Sequence, residues 1–215
     1  MSLPIHSQAA PRPQDLHPML GALSLRRGRV HELCGPSRVM LAARIMGQGQ
    51  GPVVWIRPGW WPERLNAAGL QSLADPARLI FAHAARDEGL LWAAEEALRS
   101  GVVPLVVAEL QAPPRLTPIR RLHLAAEAGA AAAQRDGGAA PLGLVLLPGA
   151  GGAQGVESRW HMTPAPSPSL LWSDSARWTL TRLRARLAPP ARWQVERING
   201  GAEALTPQPM DDPPA

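Results

Sequence analysis

The sequence predicts an α/β fold: a mainly parallel central sheet flanked by helices, with an antiparallel β-hairpin at one edge. Three observations predict it. Short, nearly continuous apolar runs at Arg29–Cys34, Pro52–Ile56, Pro104–Leu110 and Leu142–Leu147 have the composition of strands buried on both faces. Amphipathic segments at helical spacing alternate with these runs, as in successive βαβ units. Near the C-terminus the pattern changes to polar–apolar alternation on both sides of Pro189-Pro190, the signature of a hairpin.

At 215 residues and 46% hydrophobic, the chain is long enough for one α/β domain with a proper core. The composition divides it into a disordered segment at residues 1–15, one domain at residues 16–198 and a disordered tail at residues 199–215. All 22 basic residues are arginine, and the net charge is +5. A codon bias toward Arg, Ala, Gly and Pro explains this without function. A basic surface that meets nucleic acid or an acidic partner is the sharper alternative. The single cysteine, Cys34, lies on an apolar strand and can build neither a disulfide framework nor a zinc site. There is no signal-peptide pattern, and no stretch reaches the ~18 apolar residues that span a membrane. A cytoplasmic protein is expected.

Taken in order, Leu16–Leu25 reads as a short helix on the domain edge. Arg29–Cys34 is the first strand. Ser37 is suited to cap the helix whose stripe is Val39, Met40, Ala43 and Met46 and which Gly47 ends. Pro52–Ile56 is the second strand, and Pro62–Gly69 reads as a short helix with Pro in its first turn. Arg78–His83 is the third strand. Asp87 and Glu88 open a helix at its positive end, and Gly101 closes it. Pro104–Leu110 is the fourth strand, Thr117-Pro118 starts a helix running to about Gln134, and Leu142–Leu147 is the fifth strand. The Pro, Gly and Ala loop that follows looks too flexible to place. Ser158–Met162 is a sixth, more polar strand, and Arg177–Arg184 pairs with Trp193–Glu196.

The stretch from Gly28 to Ser37 organises these elements. A buried strand runs into a turn that opens a helix, the place where nucleotide-binding α/β proteins cradle phosphate. The loop reads Gly35-Pro36-Ser37-Arg38, without the Gly-Lys-Ser/Thr of a working phosphate loop, and the chain has no lysine. Arg38 is a poor substitute for a compact ammonium group. Glu109, at the end of the fourth strand, stands where a magnesium-binding acid would. Its alternative role is a strand-end carboxylate paired with an arginine. No carboxylate follows the second strand until Glu63. The expectation is an ATPase-type scaffold without ATPase activity.

Several segments together resemble the ImuA proteins, the RecA-related, SulA-like accessory factors of bacterial SOS mutagenesis. Gly28–Ser37 resembles the first strand and phosphate loop of RecA-type recombinases, and Gly51–Ile56 the next core strand. Leu91-Trp92-Ala93-Ala94-Glu95-Glu96-Ala97-Leu98-Arg99-Ser100-Gly101, followed by Pro104–Leu110, resembles a helix and strand of the ImuA family. Ile119–Glu127 resembles its next helix, and Ser158–His161 and the Arg-rich hairpin through Trp193 fit as well. The resemblance covers about residues 16–197. It implies a RecA-like core and a DNA-damage-induced role in translesion synthesis. The implied partners are an ImuB-like protein related to Y-family polymerases, an error-prone C-family DNA polymerase and RecA. The function expected is a non-catalytic adaptor without a cofactor. The alternative is a DNA-stimulated nucleotide-binding regulator with weak ATPase activity.

Two surfaces are candidates for partner or DNA contact. Trp60-Trp61 lies in the loop after the second strand beside Arg57 and Arg64, either as a protein or base-stacking site or with one ring capping the core. Arg177, Arg182, Arg184, Arg186, Arg192 and Arg197 are interleaved with Trp172, Trp178 and Trp193. The period of two puts Arg182, Arg184 and Arg186 on one strand face. Such an edge could hold single-stranded DNA, dock an acidic tail or simply protect the strand from aggregation. Arg120 and Arg121 diverge around their helix and suit a solvated face. His31 and His83 are expected to be structural, and the histidines show no metal-ligand clustering.

Overall fold

The computed structural model describes residues 13–166, 176–197 and 206–209. A 3-10 turn at Pro13–Asp15 leads into a hairpin of β1 (Leu16–Leu20) and β2 (Leu23–Arg26). Here the expected helix is corrected. His17, Met19, Leu20 and Leu25 are buried, Gly21 takes φ +53° at the turn, and the paired strands lie on α1 (Arg38–Gly47). Local apolar clusters could not distinguish the two forms.

Among the described residues the main sheet has nine strands. In chain order they are β3 (Val30–Cys34), β4 (Val53–Pro58), β5 (Leu79–Ala84), β6 (Leu105–Glu109), β7 (Leu142–Leu147), β8 (Ser158–Ala165), β9 (Ala176–Ala185), β10 (Ala191–Arg197) and β11 (Thr206–Pro209). Their spatial order is β11-β10-β9-β8-β3-β7-β6-β4-β5. The six strands from β8 to β5 are parallel, and β9, β10 and β11 join antiparallel. β3 is the middle strand, with all five residues buried. The C-terminal hairpin forms as expected. Thr206–Pro209, inside the segment read as a tail, adds a strand to β10.

One face of the sheet is covered by α1 and the β1–β2 hairpin, over a core containing Leu33, Trp55, Val107, Leu144 and Trp160. The other is covered by α3 (Asp87–Ser100) and α4 (Leu116–Arg135), over Val30, Ile56, Val106 and Val145. α3 carries Asp87 and Glu88 in its first turn and ends at Gly101 in the left-handed conformation, φ +73°. α3 and α4 meet at Gly129, where a Cβ would lie 1.9 Å from the Leu98 carbonyl oxygen. Glu95 of α3 is shared by Arg99 and, at 2.8 Å, by Arg121 of α4.

Two further expectations change. The helix expected at Pro62–Gly69 is only α2, Ala67–Leu70, because the Asn66 side chain accepts from the Ala68 N–H and starts the turn there. Ser37 sits at the α1 N-terminus but makes no side-chain capping bond.

Candidate functional site

The loop at the C-terminal end of β3 lies where the sequence placed a phosphate cradle, and its Gly35, Ser37 and Arg38 amides already have partners. The Gly35 N–H donates to the Gly149 carbonyl at 2.8 Å, and the Ser37 N–H donates to the Met162 carbonyl at 3.1 Å. The Arg38 N–H and one guanidinium nitrogen both donate back to the Gly35 carbonyl, at 3.3 and 3.2 Å. Gly35 has φ +88°, and a Cβ there would stand 2.5 Å from the Met162 oxygen, so β8 lies directly against the loop. The nearest groove, about 430 Å³ between α1 and α2, is lined by Pro36, Ser37, Val39, Met40, Leu65 and Leu70, with no charged side chain anywhere on its walls. A phosphate needs free N–H donors and positive charge.

Glu109 is not part of that loop. β7 lies between β3 and β6, and the buried Glu109 carboxylate accepts the Trp55 indole N–H at 2.6 Å. Trp55 and Glu109 are diagonal neighbours on adjacent strands, since Trp55 pairs with Val107. The partner expected for this carboxylate was an arginine. The indole takes that place.

The acid that does organise the loops is Glu32, which sequence reasoning passed over. Its side chain is fully buried and accepts from the Gly152 N–H at 2.7 Å, the Ala153 N–H at 3.0 Å and Arg159 Nε at 2.7 Å. Arg159 also donates to the Ala153 carbonyl at 2.9 Å. The segment that looked too flexible to place is thus pinned to the central strand. A charged residue inside an apolar strand was the available signal, because a buried carboxylate requires partners. Beside it, burial pushes the Cys34 thiol up to about 12, with the Glu32 carboxylate adding to the shift, and the thiol donates to the Trp160 carbonyl at 3.4 Å.

His17 and His31 are structural donors and acceptors. His17 Nε2–H donates to the Ile45 carbonyl at 2.8 Å while Nδ1 accepts from Arg27 at 2.8 Å. His31 Nε2–H donates to the Arg26 carbonyl at 2.9 Å, and Nδ1 accepts from Ser158 Oγ at 2.6 Å, which in turn accepts from the Trp160 indole at 2.8 Å. Burial lowers both rings to about 4. His83 departs from the expected structural role: it is exposed on β5 and stacks on Phe81. Among the described residues, no three His, Cys, Asp or Glu side chains are grouped to hold a metal.

Trp60 is half-exposed and Trp61 less so. The Gln111 amide oxygen, oriented toward them, accepts from the two indoles at 3.3 and 3.0 Å. Arg57 is buried and donates to the Glu63 carbonyl.

The C-terminal arginines do not share one face. Arg182 pairs with Trp160 across β8–β9, but Arg184 pairs with Arg159, the residue before it. Adjacent residues on β8 point to opposite faces, so the extra residue, Leu183, is a bulge that sends Arg182 and Arg184 opposite ways. Arg182 lies between Trp160 and Trp193, 5.6 and 5.2 Å from the ring centroids, and donates to the Pro189 carbonyl. Arg177 pairs with Glu196, and Trp178 packs on the core. Arg186 is past the end of β9, 3.7 Å from Glu157, and Arg192 is exposed. Trp172 lies outside the described residues.

The fold and site define an α/β protein with a mostly parallel sheet, in which protein carbonyls take the Gly35, Ser37 and Arg38 amides of the phosphate-loop position. The chain is a homologue of Protein ImuA, as its segments suggested. It is 34% identical over 166 residues to Protein ImuA from each of two strains of Caulobacter vibrioides, covering 70% of this chain. The match spans 62% of the length of those relatives. No family model matches the chain. The crystal structure of SulA from Pseudomonas aeruginosa is similar over 56% of this chain and 98% of that one, with 22% identity and a TM-score of 0.43.

Proposed function

We propose that this chain is a non-catalytic accessory protein of damage-induced mutagenesis, a RecA-like core kept as a scaffold for protein contacts in the cytoplasm. The observation that carries this is the bonding of the Gly35 and Ser37 amides to Gly149 and Met162. With these donors used and no lysine in the chain, the loop offers little to stabilise a transferring phosphoryl group. The similarity to Protein ImuA supports the assignment to mutagenesis. The partners proposed are an ImuB-like protein, an error-prone C-family polymerase and RecA. A suitable contact region lies at the β5 edge. There Trp60, Ile80, Phe81 and Trp92 are exposed, and β5 itself carries no charge, proline or bulge to protect it.

The test combines two measurements on the full chain. Thermal unfolding with and without Mg-ATP is expected to give the same midpoint, and a clear rise would reverse the assignment toward a nucleotide-dependent regulator. Co-purification with an ImuB-like protein is expected to succeed and to weaken for Phe81→Glu. Retained binding by that variant would move the contact away from β5.

A further inference from the structure

The bulge at Leu183 gives the sheet a second surface. Arg184 pairs with Arg159, while His161 pairs with Thr181, which pairs with Arg192. Paired residues share a face, so Arg184 and Arg192 are on the side of Arg159 and His161. Arg159 faces Glu32, which lies on the same side of β3 as Val30 and Cys34, the side that α4 covers. The helices of that layer pack on β3 to β7. Arg184 and Arg192 are exposed on β9 and β10.

This face continues into a cleft of about 410 Å³ beside α4, lined by Arg29, Arg120, His123, Leu124, Glu127 and Arg186, among others. Arg29 is neutralised by Glu127, and Arg186 lies 3.7 Å from Glu157. Arg120, Arg184 and Arg192 have no carboxylate within ion-pair distance among the described residues. Among the described residues, the tryptophans of this region, Trp160, Trp178 and Trp193, are on the opposite face, in or against the core. A single-strand binder uses such rings as a stacking platform. Here the described residues of the exposed side offer guanidinium groups with the His123 and His161 imidazoles but no indole, which suits the ligand with the densest phosphate charge.

We propose that the open face of β8–β10, extended by the cleft at α4, binds the phosphate backbone of double-stranded DNA without reading its sequence. Arg120, Arg184 and Arg192 are the principal contacts, and Arg186 connects the sheet face to the cleft. This site is separate from the β5 edge and stands whether or not the adaptor role holds.

The test is fluorescence anisotropy of the full chain with a labelled 20-base-pair random duplex and with one of its strands, over a salt series. The duplex is expected to bind more tightly than the single strand, with affinity falling linearly in log–log form as salt rises. The triple variant Arg120→Ala, Arg184→Ala, Arg192→Ala is expected to lose at least about tenfold at low salt and to lower the slope by about 2 to 3, at roughly 0.9 per phosphate contact. Arg86→Ala, near the far edge of the sheet, is expected to bind like the parent and serves as the control. All three target residues are exposed, and an unchanged melting midpoint verifies their fold. Preference for the single strand, an unaltered slope in the triple variant, or tighter binding of polyglutamate than of duplex would each overturn the proposal, the last in favour of an acidic protein.

Discussion

Glu109 Oε1 lies 2.6 Å from the indole nitrogen of Trp55, and both side chains are buried. This bond turns the acid at the end of β6 into a packing residue. Trp55→Phe keeps most of the apolar volume but leaves a buried carboxylate oxygen without its donor, which costs about 1–3 kcal/mol. Glu109→Gln retains an acceptor for the indole and is expected to cost less. Urea denaturation of the two variants measures the difference. A Glu109→Gln variant less stable than Trp55→Phe would show that the carboxylate has another, stronger partner.

Glu32 is expected to be the most sensitive acidic position. Glu32→Ala removes the acceptor for two loop amides and the partner of Arg159, whose side chain is largely buried. Breaking a buried pair on one side typically costs about 3–5 kcal/mol. Proteolysis is expected to open first in the segment around Gly151–Gly155, because Glu32 holds it to β3. Parent-like resistance there would contradict the anchoring role.

Stability should fall on mild acidification. His17 and His31 are held near 4 in the folded chain by burial, against 6.5 when unfolded. Between those values the unfolded chain binds more protons, so stability rises with pH. Their contribution is fully present above about 6.5 and is lost as pH falls toward 4, roughly 2 kcal/mol per ring by pH 5. Burial lowers His123 as well, with the same sign. Urea midpoints at pH 7.5 and pH 5 test this. Equal midpoints would mean that the rings are protonated without penalty.

Cys34 should be unreactive while the protein is folded. Its thiol is buried and pushed up to about 12, so almost no thiolate exists at pH 8. Maleimide labelling is expected to be negligible in buffer and complete in concentrated urea. Rapid native labelling would show that β3 opens readily.

Gly129 sets the spacing of α3 and α4. Alanine there would place a methyl group 1.9 Å from the Leu98 carbonyl oxygen, so the helices must move apart. A loss of about 1–3 kcal/mol is expected, despite the higher helix propensity of alanine. A stabilised Gly129→Ala variant would mean that α3 shifts at little cost.

The parallel strands were legible because strands buried on both faces leave continuous apolar runs, as at Val53–Ile56 and Leu142–Leu147. Helix ends were legible where the signal is local, as with Asp87, Glu88 and Gly101. Leu16–Leu25 was misread because ten residues of mixed polarity fit either period, and burial against α1 decided in favour of strands. The arginine face was misread because one bulged residue, Leu183, reverses the parity of everything beyond it.

Local patterning was therefore sufficient to establish the order of the elements from β3 to β10, the parallel core, the C-terminal hairpin and the missing lysine, since each is written in neighbouring residues. Long-range contact settled the rest. That Gly35 bonds to Gly149, that Glu32 gathers the segment 120 residues away, and that Arg184 leaves the side of Arg182 all follow from which strands lie side by side. Hydrogen bonds and ion pairs act over a few ångströms of space, whatever the separation along the chain.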